Sequence, residues 1–135
     1  MPSTTNPLQS VGVSAERALF GQPKFSVIDT GTHAALDANT APPGNQSVVR
    51  LFVLNVSASA APATALTLQV KDGSTVIWQC ELAAAAPFAY EFDFSNKPLR
   101  GSNGATLHAT LGDPGVGIVA TVTWTGDFHF NTQGT

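Results

Sequence analysis

The sequence predicts an all-β domain, a two-sheet antiparallel sandwich of jelly-roll type with an extended N-terminal arm. Three observations carry that expectation. From Val48 onward the chain breaks into short runs in which apolar and polar residues alternate, the period-two mark of strands with one face in a core. Between the runs lie clusters of Gly, Pro, Asn and Asp at short intervals, which suit a sandwich or jelly roll more than a barrel or an α/β fold. Helical patterning is confined to residues 14–20 (SAERALF) and 83–86, enough for a turn or two.

At 135 residues the chain has the length of one domain and can bury a core without disulfides or metal. Residues 1–24, with Pro2, Pro7 and Pro23, fit no strand pattern and read as the arm; residues 25–135 read as the sandwich. Residues 25–29 (FSVID) form a first strand and 33–36 a short second one, followed by a Pro/Gly/Asn-rich loop over 37–47. Residues 48–56 (VVRLFVLNV) are apolar in both alternating sets, with Val49, Leu51 and Val53 on one side and Val48, Phe52, Leu54 and Val56 on the other. Such a strand is covered on both faces, by a loop or by another subunit.

Residues 65–71 and 74–82 form a hairpin turning at Asp72-Gly73, where Gly accepts a positive φ. Leu66, Leu68 and Val70 point inward, and Val76, Trp78, Cys80 and Leu82 share one inward phase, so Cys80 is expected to be buried and inert. Residues 88–94 set Phe88, Tyr90, Phe92 and Phe94 against Ala89, Glu91 and Asp93. The loop over 95–104 contains Pro98, which cannot serve a central ladder. Residues 105–111 resume the alternation, Asp113-Pro114-Gly115 turns the chain, and 116–130 form a long last strand with a bend at Gly126. The sum is seven or eight strands.

Composition narrows function. Hydrophobic residues are 43% of the chain and charged ones only 11%, against about 25% in an ordinary soluble domain. A surface short of charge resembles the interior of protein interfaces and implies extensive contact with partners. A net charge of −3 and six scattered Lys and Arg argue against nucleic acid. No apolar run is long enough to span a membrane, and the opening residues carry no secretory pattern. The triplets at Asn45 and Asn55 are therefore read as accidental matches to a glycosylation signal.

No catalytic, cofactor or metal site is expected. His33, His108 and His129 stand in no known motif and read as surface residues. Glu91 and Asp93 lie two apart on one strand face, with Glu81 a candidate neighbour, but half-exposed strands carry such carboxylates routinely. The loop at Asp37 and Asn39 lacks the repeated acidic ligands that calcium requires. Trp78 and Trp124 fall in the inward phase, so an aromatic platform for sugars would need Phe52, Tyr90 or Phe128 exposed.

The segment DGSTVIW (72–78), the aromatic strand over 88–94 and PLRGSNGATL (98–107) resemble pieces of small proteins from tailed-bacteriophage structural modules, with capsid decoration (cement) proteins the nearest group. The resemblance spans residues 66–124. It implies a sandwich that binds the outer surface of an icosahedral capsid as a homodimer or homotrimer, clamps neighbouring major capsid subunits and is made in the host cytoplasm. The alternative is a receptor- or carbohydrate-binding module of a phage tail or adhesin. Phe52, Leu54 and Val56, with Leu8, Val11 and Val13 of the arm, are the expected intersubunit contacts.

Overall fold

The computed structural model of the chain describes residues 24–130. Nine strands follow one another with no helix among the described residues: β1 (Phe25–Thr32), β2 (Leu36–Thr40), β3 (Ser47–Ala58), β4 (Leu66–Asp72), β5 (Thr75–Leu82), β6 (Phe88–Asp93), β7 (Leu99–Arg100), β8 (Leu107–Leu111) and β9 (Val119–Phe130). All pairs are antiparallel. One sheet runs β1-β9-β3-β6, with β7 as a short extension beside β3, and the other runs β2-β8-β4-β5. Each sheet draws on both ends of the chain, and this order is the connectivity of an eight-stranded jelly roll, which places the first and last strands side by side. The expected all-β, two-sheet fold is thus the observed one. The arm over residues 1–24 lies outside the described residues except for Lys24.

The core fills the space between the sheets. Val49, Leu51, Leu54, Val56, Ala120, Val122 and Trp124 from one sheet meet Leu36, Ala38, Leu66, Leu68, Val70, Leu107, Ala109 and Leu111 from the other. β3 and β9, twelve residues each and paired along their length, form the backbone of the larger sheet. At the side where β5 and β6 face each other across the sandwich, Trp78 packs edge-on against Phe92 at 5.0 Å and Phe94 at 5.3 Å. These edge-to-face contacts cover what would otherwise be an open seam between the sheets.

Two bulges correct the strand reading. In β3 the register against β9 shifts between Leu51 and Val53, so Phe52 is the extra residue. Val49 and Leu51 point inward before it, Leu54, Val56 and Ala58 after it. Most of the double apolar pattern of 48–56 therefore arises from one buried face that changes phase at a bulge, because a one-residue insertion flips every later side chain, while Val48, on the opposite face at the start of the strand, is buried as well. In β5 the shift against β4 falls between Val76 and Trp78, and Val76 turns out to solvent instead of sharing the inward phase. Cys80 is half-buried, since β5 is an edge strand and leaves one flank of its side chains uncovered.

Other boundaries move for identifiable reasons. His33 adopts a positive φ of 52° and turns the chain, so the second strand starts at Leu36 and runs into the expected loop. Gly73 has the anticipated positive φ, 63°, at the β4–β5 turn. Gly115 and Gly117 both have positive φ, which keeps Val116 in a loop and delays β9 to Val119.

Candidate functional site

The outer face of the larger sheet is built by side chains that alternate away from the core. The ladders set them in rows across the strands. Thr30, Thr121, Ser57 and Ala89 form one row; Ile28, Thr123, Asn55 and Glu91 the next; then Ser26, Thr125, Val53 and Asp93; and then Asp127, Arg50 and Arg100. Charge in the middle rows is limited to Glu91 and Asp93 on the β6 edge, and Thr121, Thr123, Asn55, Ser57, Ala89 and Glu91 line an open groove of about 290 Å³.

One end of this face is ionic. Asp127 is only 3% exposed, and Arg50 donates to both its carboxylate oxygens, from Nε at 2.8 Å and from Nη2 at 2.7 Å. Those hydrogen bonds hold the Arg50 guanidinium above its usual pKa, against the opposing effect of burial. The pair sits where backbone crowds backbone. A Cβ on Gly126 would collide with the Arg50 carbonyl and come within 2.7 Å of the Trp124 ring, so only Gly lets β3 and β9 close here. Phe52, pushed out by the bulge, lies with its ring 4.6 Å from the Lys24 ammonium and 5.3 Å from the Arg50 guanidinium. His129 lies beyond, its imidazole held below the usual value by burial and by Arg50 and Arg100, while Asp127 pulls the other way.

Several other ionisable groups are dispersed and locally engaged. His33 meets Asp113 at 3.0 Å, and the Gly115 N–H is the main reason Asp113 titrates below the usual carboxylate range. His108 meets Asp37 at 2.9 Å across β8 and β2. Asp93 is also lowered, by hydrogen bonds from Ser95. Glu91 and Asp93 share the outer face of β6, whereas Glu81 lies on β5 of the other sheet and bonds Thr67, so the three carboxylates do not converge. Among the described residues no group of three His, Cys, Asp or Glu side chains could hold a metal ion. No helix of the described chain is long and apolar enough to cross a membrane.

The expected contact residues separate. Phe52 is on the outer face and half-buried, while Leu54 and Val56 belong to the domain's own core and offer nothing to a neighbour. Their assignment to intersubunit contact is corrected by the Phe52 bulge. Leu8, Val11 and Val13 lie outside the described residues. Of the three aromatics that a sugar platform would need, only Tyr90 is open, 48% exposed and stacked on Phe88 at 5.4 Å. Sequence reasoning missed the Arg50–Asp127 pair, because 77 residues separate the partners.

No protein-family model and no curated protein matches the chain. Solved structures overlap it, these two among them. One is the coat protein of Tobacco streak virus, 13% identical, covering 80% of this chain and 90% of that one with a TM-score of 0.34. The other is from Bacillus endospore appendages, described as a novel family of disulfide-linked pili, 15% identical over 78% of this chain and 91% of that one, TM-score 0.29. Overlaps this slight assign no function.

Proposed function

We propose that this chain is a structural virion protein of a tailed bacteriophage, one that binds the outside of an icosahedral capsid and clamps neighbouring major capsid subunits. It works as a homo-oligomer, by contact and without catalysis, and joins the shell after synthesis in the host cytoplasm. The observation that carries this reading is a sandwich with few charges, 11% of the chain, whose larger sheet has an outer face rich in Thr, Ser and Asn, the charges in its rows limited to Glu91 and Asp93 on the β6 edge and the Arg50, Arg100 and Asp127 row at one end. Burying such a surface costs little charge desolvation, as interfaces require. The pairing of His33, His108 and Arg50 with separate carboxylates supports a binding role, since among the described residues no acid–base set gathers in a cleft. Many copies on one shell would turn modest contacts into strong attachment.

The test is the virion itself. Reconstruction by electron microscopy should place this jelly roll on the outer capsid surface at fixed symmetry-related positions. Its absence from purified particles would remove the reading. Tyr90 keeps a second reading in play, a sugar- or receptor-binding module of a phage tail or adhesin, because an exposed ring stacked on Phe88 is a surface on which a sugar can lie. Binding on a glycan array that is lost with Tyr90→Ala would favour it.

A further inference from the structure

We propose that the outer face of the larger sheet is a self-complementary dimer surface, on which Arg100 of each copy seats between Asp93 and Glu91 of the other. The occupant of this face is thus a second copy of the chain.

The argument rests on how charge is distributed over one sheet face. Of the six Lys and Arg in the sequence, Lys24, Arg50 and Arg100 gather at one end of this face, with His129 beside them. Arg50 and Arg100 are direct cross-strand neighbours, an arrangement of like charges that costs stability unless an anion offsets it. Asp127 is committed to Arg50, and the Arg100 side chain has no hydrogen bond or ion pair with another described residue. Glu91, exposed on the same face, has none either, and Asp93 bonds only Ser95. Among the described residues, positive and negative groups on one surface therefore stand unmatched.

Their positions fit two-fold symmetry. The rows of Arg50 and Glu91 are four residues apart along β9, from Asp127 to Thr123, or about 13 Å at strand rise. Arg100 and Glu91 both flank β3 on the same side. Two such faces laid together about an axis running across the strands, between these rows, bring the basic end of each copy onto the acidic end of the other. This is the reciprocal contact an isologous interface demands. Thr125, Val53 and Asp93 share the row near the axis, so the Asp93 carboxylate of each copy lies there between its own Arg100 and the Arg100 of the other. Ile28, 64% exposed in the Glu91 row, then faces the Lys24–Phe52 stack of the second copy.

The proposal rests on the capsid reading's homo-oligomer and deepens it by giving this face to the second copy, which leaves the rest of the surface to the shell; shell binding is measured separately, so the two can fail separately. The test is sedimentation velocity on the full chain and on Arg100→Glu, Glu91→Arg and the double variant, with circular dichroism to confirm that each folds. Wild type should be a dimer that weakens as salt is raised. Each single reversal should raise the dissociation constant by roughly tenfold or more, and the double variant, which restores opposite charges across the axis, should recover the dimer. A monomeric or trimeric wild type, single variants that dimerise normally, or a double variant that stays dissociated would each overturn it.

Discussion

The indole N–H of Trp124 in β9 donates to the carbonyl of Ala38 in β2, at 2.9 Å and fully buried, so one side chain hydrogen-bonds across the two sheets. The acceptor belongs to an edge strand, where half the carbonyls have no ladder partner. Trp124→Phe keeps an aromatic ring but orphans that carbonyl and opens a small void. Stability should fall by about 2–4 kcal/mol in urea denaturation.

Gly126 is fixed by closeness of approach. Gly126→Ala must push β3 from β9 or displace the Trp124 ring, and should cost about 3 kcal/mol in the same measurement. An unchanged denaturation midpoint would show that the two strands do not meet as described.

The Arg50–Asp127 pair is worth more broken than absent. Asp127→Ala leaves a half-buried guanidinium without its carboxylate and should destabilise by about 3–5 kcal/mol, whereas the double replacement Arg50→Met with Asp127→Leu should cost clearly less. Equal losses in the two variants would contradict the pairing.

His129 makes stability depend on acid. In the unfolded chain the ring takes its proton as pH falls through about 6.5, while in the folded chain burial and the two arginines defer protonation to lower pH. Between those values the unfolded state binds more proton, so stability present near neutral pH is lost as pH falls below about 6.5, until the folded ring is protonated as well. Denaturation midpoints across this range should show that loss in the wild type and a smaller one in His129→Gln.

Phe52 and Leu54, two residues apart, should respond in opposite ways. Phe52→Asp places a carboxylate on the outer face between Lys24 and Arg50 and should fold. Leu54→Asp puts an unpaired charge in the core, a loss of more than about 4 kcal/mol, and should give little folded protein by circular dichroism.

That contrast marks the limit of what the sequence discloses. Alternation identified the strands and the inward phase of Trp124, and the Asp72-Gly73 hairpin was legible because a tight turn needs a positive φ there. Bulges leave no such trace: Phe52 and Ile77 each flip the phase of what adjoins them, and only the ladder reveals it. β7 was hidden beside Pro98 in a run of turn formers, since two residues pair with β3 through backbone alone. The ionic end of the outer face was equally hidden, because Arg50, Arg100 and Asp127 come together only through the strand order.

The central claim is attachment to a capsid. Purified protein should be mixed with phage shells from which it is missing, and binding followed by co-sedimentation together with the shells' melting temperature. The account predicts saturable binding at a fixed number of copies per shell and a higher melting temperature; shells that neither retain the protein nor gain stability would contradict it.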